Sequence, residues 1–369
     1  MRILVTGASG FIAKNLLAHL NEHKQYQSLT FTRGESVKAL EDKVAQCDFI
    51  VHLAGVNRPA DDSEFAVANA GLTSQLCKAV QLAGRRIPII YTSSIQAEMD
   101  NLYGRSKFQG EEFLRQFSIQ ASNPVYMYRL PNVFGKWCRP NYNSVVATFC
   151  NNIVEDIPIN IHDPDAVLNL VYIDDLIKDF LQVIETRPSD GYRKLNQTYQ
   201  ISVGGLAAQL SQFKSSRSSL LTEPVGTGLV RALYATYISC FKPGQFVYPL
   251  VKKEDARGAF VEVLKTKDSG QFSFFTAHPG VTRGGHYHHT KSEKFIVVKG
   301  TARFGFRHIV TGEVAEIFTS SQQPQVVETI PGWAHDITNI GQDEMIVMLW
   351  ANEIFDQSQP DTKSHQVFT

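Results

Sequence analysis

Three histidines and a carboxylate stand within one glycine-framed stretch, residues 280–300, which reads GVTRGGHYHHTKSEKFIVVKG. Side chains alternate along a β-strand, so His286 and His288 point to the same side of one. Glu293, after a turn, can close over them from the neighbouring strand. Imidazole and carboxylate together suit a single transition-metal ion such as zinc, iron or nickel. His289 faces the other way and is expected at the surface rather than on the ion.

A second chemistry lies far upstream. Ser93 and Ser94 close a strand, and Tyr103-Gly-Arg-Ser-Lys107 opens the next helix, where residues four apart share a face. An ammonium beside a phenol favours phenolate and lowers a phenol pKa from its usual value of about 10. Tyr103 can then pass a proton to or from a carbonyl oxygen while hydride moves at the carbon. Ser94 would hydrogen-bond that oxygen, and Lys107 would also hold a nicotinamide ribose. A Tyr-Lys pair by itself is common on helix surfaces, so its weight depends on what surrounds it.

The elements around it supply that context. A β-rich run over residues 2–6 leads into Gly7-Ala-Ser-Gly10-Phe-Ile-Ala13, and a helix follows to about His23. Gly7 permits a tight turn, Gly10 lets backbone N–H groups approach a pyrophosphate, and Ala13 allows close helix–strand packing. Gly7, Ser9, Gly10, Phe11 and Ile12 are therefore candidate cofactor contacts. The second strand, residues 28–32, runs into Arg33, where an arginine can pair with a 2′-phosphate, so NADPH is the expected cofactor. The run over residues 49–55 is a buried strand ending in small residues, which puts Leu53 and Ala54 against the cofactor. A helix from about Glu64 to Ala83 and a strand over residues 87–93 continue the alternation of a doubly wound α/β parallel sheet.

After Phe241-Lys-Pro-Gly244 the periodicity changes. Short strand-like runs over residues 260–266, 271–276, 294–298, 301–308, 313–318, 326–330 and 345–351 are separated by Gly, Pro and polar turns, as in an all-β sandwich or barrel. Two domains are expected, residues 1–243 and 244–369, and a chain of 369 residues is too long for one ordinary core.

The formal charge is zero, with 36 basic and 36 acidic residues, which speaks against a nucleic-acid or membrane-surface partner. Five cysteines, odd in number and without a CxxC pair, read as free thiols of a reducing compartment. The apolar opening is a strand-turn-helix rather than a leader, and no run of about 18 uncharged apolar residues spans a membrane. A cytoplasmic enzyme is expected.

Residues 1–243 resemble the extended short-chain dehydrogenase/reductases, the family of nucleotide-sugar epimerases, dehydratases and reductases. Besides the glycine-rich opening and Ser94, Tyr103 and Lys107, the likeness rests on Asn69-Ala-Gly-Leu-Thr73, Tyr128-Arg-Leu-Pro-Asn132-Val-Phe-Gly135 and Leu170-Val-Tyr-Ile-Asp-Asp175. The third fingerprint glycine is Ala13 here, and the gap from Ser94 to Tyr103 is shorter than in 4-epimerases. The resemblance implies that Asn132 contacts a nucleotide sugar. The loop after Gly135, Lys136-Trp-Cys-Arg-Pro-Asn-Tyr-Asn143, reads either as a uracil-stacking, diphosphate-binding loop or as plain surface.

The spacing Gly280-x5-His286-x-His288-x4-Glu293-x6-Gly300 is similar to the first motif of the cupin superfamily. Pro331-Gly-Trp-Ala-His335-x3-Asn339 is similar to the second, with its proline one place closer to the glycine. This resemblance implies that His286, His288, Glu293 and His335 hold one divalent ion, zinc first, with iron, manganese or nickel as alternatives. A metal-free jelly roll is the competing reading. Asp255-Ala-Arg257-Gly-Ala-Phe260 resembles the entry strand of deoxysugar 3,5-epimerase cupins, which implies a substrate-phosphate contact for Arg257.

The fusion as a whole resembles the bifunctional reductase–cupin family of capsule and O-antigen synthesis, on the route to UDP-N-acetyl-L-fucosamine. That implies a UDP-2-acetamido-2,6-dideoxy-4-hexulose substrate, C3 inversion in the cupin, NADPH-dependent C4 reduction upstream to the L-talo sugar, and a homodimer. Two other readings stand beside it. One is a single-activity reductase, 4-epimerase or 4,6-dehydratase with a structural or dimerising cupin; the other is a metabolite sensor, which would not need Ser94, Tyr103 and Lys107 together.

Overall fold

The structure is a computed structural model that describes residues 1–57, 61, 65–255, 258–261, 263–266, 270–353 and 358–368. Along the chain the first elements are β1 (Arg2–Thr6), α1 (Phe11–Asn21), β2 (Gln27–Phe31), α2 (Val37–Gln46) and β3 (Phe49–His52). A π-helical turn, Ala66–Gly71, leads into α3 (Leu72–Leu82), then β4 (Ile89–Ser94), α4 (Leu102–Ala121), β5 (Val125–Leu130) and β6 (Asn132–Phe134). Next come α5 (Val145–Val154), β7 (Val167–Tyr172), α6 (Ile173–Thr186), β8 (Gly191–Tyr192), β9 (Tyr199–Ser202), α7 (Val203–Ser219), β10 (Leu221–Thr222) and α8 (Gly228–Ile238). The chain folds into two compact units, the first comprising Met1–Phe134, Asn141–Ser144 and Leu168–Ile201.

The first unit is built on a six-stranded parallel sheet ordered β2-β1-β3-β4-β5-β8. Ile3, Leu4 and Val5 are fully buried, because a parallel strand covered on both faces by helices meets water on neither. Leu4, Leu40, Val44, Ile50, Leu76, Ile89 and Leu114 form the core beneath the helices. Strand order reverses between β1 and β3, and a ligand crevice opens at the carboxyl ends of strands at such a switch point. The expected doubly wound sheet is thus present. The helix expected from about Glu64 to Ala83 is helical from Phe65 to Leu82 with a π-helical turn at Ala66–Gly71 inside it, and Glu64 itself lies outside the described residues.

The second unit comprises Gly135–Pro140, Val145–Val167 and Ser202–Thr369. Its strands continue as β11 (Val247–Pro249), β12 (Lys252–Asp255), β13 (Gly258–Val261), β14 (Lys265–Thr266), β15 (Gln271–Ala277), β16 (Thr282–Tyr287) and β17 (Glu293–Lys299). They end with β18 (Thr301–His308), β19 (Val314–Ser320), β20 (Gln325–Glu328), β21 (Trp333–Asn339), β22 (Met345–Ala351) and β23 (Lys363–Ser364). Two five-stranded sheets, β11-β20-β17-β22-β15 and β19-β18-β21-β16-β23, give the expected all-β cupin architecture. Aromatic rings fill its interior: Phe246 meets Trp333 at 5.0 Å and Phe306 at 5.2 Å, and Phe295 meets Phe304 at 5.7 Å between centroids.

The serine-rich run at residues 215–219 continues α7. Its hydroxyls turn back on the helix, Ser215 donating to the Gln212 carbonyl at 3.0 Å and Ser216 to that of Phe213 at 2.7 Å. Helix and barrel are joined by a buried charge cluster. Glu328 on β20 accepts from Lys294 of β17, from Tyr234 of α8 at 3.2 Å and pairs with Arg217 of α7 at 3.0 Å. Removing one member would strand a buried charge, so the cluster locks β17 in place.

Candidate functional site

In the first unit, Gly7 adopts φ 66°, and a Cβ there would lie 2.7 Å from the Cα of Ala54. That is why the turn after β1 must be glycine: the loop after β3 crosses directly over it. Gly10 closes the turn by donating to the Gly7 carbonyl at 2.8 Å, and α1 begins at Phe11 with its first N–H groups unpaired by the helix itself. Ser9 and Gly10 are exposed, Phe11 and Ile12 half-buried, and Ala13 is buried against the sheet. Leu53 and Ala54 are half-buried, and the Ala54 N–H donates to the Thr6 hydroxyl at 3.2 Å. An exposed glycine turn at a helix start, backed by a tightly packed strand end, fits a dinucleotide pyrophosphate. Arg33 is exposed just past β2, while the nearby Glu35 carboxylate is taken up by the Thr32 N–H at 2.7 Å and by the Lys43 ammonium.

Ser94 ends β4 and Tyr103 stands in the first turn of α4, whose start is capped by Asn101 accepting from the Gly104 N–H at 2.7 Å. Ser94 is near enough to Tyr103 to draw its phenol pKa down. Lys107, one helical turn on, is 6% exposed and donates to the Thr92 carbonyl at 3.0 Å, with its ammonium over the Tyr91 ring. Burial raises the Tyr103 pKa, against a smaller lowering from Ser94, so the phenol keeps its proton. Burial also brings Lys107 down to about 8, and Glu111 restores part of the loss. This departs from the sequence expectation of a lowered phenol. The ammonium is engaged with Thr92 and Tyr91, and desolvation dominates.

Sequence reasoning did not single out the network beneath this trio. The His52 ring bridges the hydroxyls of Thr6 at 2.7 Å and Thr73 at 3.0 Å. Thr73 donates to the Asn69 carbonyl at 2.7 Å, so it accepts from His52 Nε2 and the ring is the neutral Nε2–H tautomer. Burial, with Lys107 nearby, holds His52 at about 3. The Asn69 amide accepts from Val56 N–H at 2.8 Å and donates to Ser106 at 2.8 Å, and Ser106 donates to the Tyr103 carbonyl at 2.8 Å. The loop after β3 and the Tyr103 helix are thereby one hydrogen-bonded piece. The one signal for it was a histidine inside an otherwise apolar strand.

Asn132 is exposed at the first position of β6, two residues beyond Leu130, which pairs with Ser94 in the sheet. The loop after Gly135 does not present its tryptophan for base stacking. Trp137 packs on Gly332, where a Cβ would come within 2.8 Å of the ring, and lies 5.8 Å from the His308 ring. Lys136 is buried with its ammonium over Trp137. Arg257 lies outside the described residues.

In the second unit, one ligand atom from each of His286, His288, Glu293 and His335 lies within 4.8 Å of the other three. His286 of β16 stands directly opposite His335 of β21 in the antiparallel register. A bulge between Gly284 and His286 re-aims the strand there. It needs glycine, since Gly284 has φ 102° and a Cβ would sit 2.8 Å from the His335 carbonyl. His288 Nε2 lies 3.1 Å and His335 Nε2 3.4 Å from Glu293 Oε2, and Lys291 pairs with Glu293 Oε1 at 2.9 Å. Glu293 and Lys294 are neighbours on β17 that face opposite ways, one to the imidazoles and one to the Glu328 cluster.

This donor set fits a divalent ion. Both ring nitrogens of His335 are buried without a well-formed hydrogen bond, an arrangement costly unless something binds there. Burial, then His335 and His288, hold His286 at about 3, and burial also lowers His335, so these imidazoles are neutral. Burial alone would raise Glu293, but the His288 and His335 imidazoles beside its carboxylate keep it ionised, well below its ordinary range. Neutral imidazole and ionised carboxylate are the protonation states that ligate metal. His289 does not join the four, but it is buried rather than at the surface as expected, edge-on against Tyr287 at 5.4 Å.

Both parts of the chain resemble known proteins. Residues 3–201 match the NAD dependent epimerase/dehydratase family, and residues 253–363 match the polysaccharide biosynthesis C-terminal domain. A UDP-2-acetamido-2,6-beta-L-arabino-hexul-4-ose reductase of Pseudomonas aeruginosa is 56% identical over 98% of each chain. The crystal structure of the capsular polysaccharide assembling protein CapF from Staphylococcus aureus is 40% identical, covers 100% of both chains and superposes with a TM-score of 0.69. The spore coat polysaccharide biosynthesis protein SpsL of Bacillus subtilis is 24% identical over 32% of this chain and 86% of its own. With a glycine-turn nucleotide fold upstream and a four-donor cupin downstream, the chain belongs to the UDP-2-acetamido-2,6-beta-L-arabino-hexul-4-ose reductase family, within the NAD dependent epimerases and dehydratases.

Proposed function

We propose that this protein is a nucleotide-sugar enzyme of polysaccharide biosynthesis that works twice on one ketone. The cupin, residues 244–369, inverts C3 of UDP-2-acetamido-2,6-dideoxy-β-L-arabino-4-hexulose, and the reductase, residues 1–243, reduces C4 with NADPH to the L-talo sugar. The observation that carries this reading is the presence in one chain of a ketone-reducing trio and a buried donor set of three imidazoles and one carboxylate. The 56% identity to a reductase of such a hexulose supports the substrate class.

A nicotinamide cofactor bound at the Gly7–Gly10 turn would supply the hydride for C4. Tyr103, kept protonated by burial, gives its proton to the C4 oxygen as the alkoxide forms, and Ser94 at the end of β4 would hydrogen-bond that oxygen. The Lys107 ammonium supplies positive charge beside the site and, once cofactor is bound, a donor for its ribose. Residues His52, Asn69 and Ser106 hold Tyr103 and the loop after β3 in register. In the cupin, His286, His288, Glu293 and His335 would hold the ion, zinc being redox-inert and content with mixed nitrogen and oxygen donors. A divalent ion there supplies positive charge against a developing enolate, which makes the hydrogen α to the ketone easier to remove. Reduction then makes the inverted centre permanent, because the ketone that acidified it is gone.

Proton NMR in D₂O tests the order. With the UDP-4-keto-6-deoxy sugar and protein alone, the C3 proton should exchange for deuterium; adding NADPH should convert the ketone to one alcohol. Absence of C3 exchange by a folded, metal-loaded protein that still reduces the ketone would leave a single-activity reductase.

NADPH preference is read from the exposed Arg33 and from the engagement of Glu35 by Thr32 and Lys43. Arg33→Ala should raise the KM for NADPH about tenfold, the order of one charge-assisted hydrogen bond, and leave that for NADH unchanged. Steady-state kinetics with both cofactors would reveal it; an equal effect on the two would refute the assignment.

A further inference from the structure

The turn that carries His288 is held from a distant part of the chain. Residues 288–292 link β16 to β17, and three successive backbone N–H groups, of His289, Thr290 and Lys291, donate to the carboxylate of Asp361 at 2.9, 2.7 and 2.8 Å. The Thr290 hydroxyl donates to the same carboxylate at 3.1 Å. Consecutive N–H groups converging on one anion form a nest, and charge-assisted bonds of this kind are the strong ones. The main-chain carbonyl of Asp361 is hydrogen-bonded to Nδ1 of His288. A carbonyl can only accept, so Nδ1 carries a hydrogen and Nε2, the atom 3.1 Å from Glu293, is the nitrogen turned toward the donor set.

Asp361 does not act in isolation. The segment around it is laced along the same strand: Ser364 pairs with His286 and Lys363 with Tyr287, and the His365 N–H donates to the Gly285 carbonyl at 2.9 Å. Val367 is buried with Tyr287 and Ala334, the latter adjacent to His335. Arg307 Nε donates to the Val367 carbonyl at 2.5 Å. These contacts converge on the strands and the turn that present three of the four donors.

We propose that Asp361 is the positioning residue of the metal-binding turn. Its carboxylate sets the path of residues 288–291 and its carbonyl sets the tautomer and ring direction of His288, although no atom of Asp361 belongs to the donor set. The inference rests on the metal-site reading above. Partners that orient a ligating histidine typically control metal affinity by about 10–100-fold.

The test uses the full-length protein, stripped of metal, as wild type, Asp361→Ala and Asp361→Asn. Zinc and cobalt(II) are titrated against a chromophoric chelator, the cobalt absorption bands are recorded, and thermal unfolding of each metal-free protein is followed. Asp361→Ala should weaken zinc binding about 10–100-fold and alter the cobalt spectrum. Asp361→Asn, which keeps an oxygen acceptor but not the charge, should fall between it and wild type, and both metal-free variants should still unfold cooperatively. Wild-type affinity in both variants overturns the proposal. So does loss of affinity in both that is matched by an unfolded metal-free barrel, which would make Asp361 a fold residue only. A folded wild type that takes up neither ion overturns the metal-site reading itself, and this inference with it.

Discussion

Tyr103→Phe should lower the rate of C4 ketone reduction about a thousandfold, or about 4 kcal/mol of transition-state stabilisation, while NADPH still binds and C3 exchange is unchanged. The phenylalanine ring fills the same space beside Phe65, 6.0 Å away between centroids, so the loss would be that of one proton donor rather than of packing. Single-turnover oxidation of NADPH against the keto sugar measures the first, and fluorescence titration of NADPH the second. A variant reducing the ketone within tenfold of wild type would remove Tyr103 from the mechanism.

The pH profile should carry the same signature. Tyr103 is raised by burial, so it stays a phenol as the pH climbs, whereas Lys107 is brought down to about 8. A lysine with a lowered pKa keeps its charge only below that value. Reduction should therefore be flat on the neutral side and fall by about tenfold per pH unit well above the Lys107 transition, as for any single required proton. Cofactor binding would move the transition, because a ribose partner and a phosphate favour the charged form.

His335→Ala should remove the ion from the cupin and slow C3 exchange by about 10²–10³-fold, the several kcal/mol that a Lewis acid offers a developing negative charge. Reduction of a ketone already inverted at C3 should proceed at the wild-type rate. Elemental analysis and exchange followed by NMR decide it: metal-depleted protein that stays folded and exchanges C3 at full rate would make the ion structural. The alanine also removes two buried nitrogens without well-formed hydrogen bonds, so the metal-free barrel should lose little stability from the polar atoms themselves. Glu293→Gln makes a sharper companion, since it keeps the shape and deletes the charge that His288 and His335 face.

Much of this molecule is written in local pattern. The parallel sheet follows from apolar strands such as Ile3-Leu4-Val5 between amphipathic helices, and the nucleotide turn from Gly7 and Gly10 in the right place. A period of two, broken by Gly and Pro turns, is enough to announce a β-barrel. Helix spacing puts Tyr103 and Lys107 on one face, and strand alternation puts His286 with His288. These are short-range rules, which is why sequence carries them.

What tertiary structure decided is everything that depends on burial or on distant partners. Local reasoning sees an ammonium one turn from a phenol and lowers the phenol; in the fold, burial wins and Lys107 spends its hydrogen bond on Thr92. Trp137 looks available for a base until Gly332 is found against it. His335 meets His286 because β21 and β16 pair in one register and a glycine bulge tilts the strand, neither of which has a local period. Asp361 has no motif at all, since it acts through backbone N–H groups and its own carbonyl, and those interactions carry no side-chain code. Residue type and spacing thus determined which chemistry the chain can do; the desolvation and long-range pairing of the folded state decided which protons stay on and where the donors point.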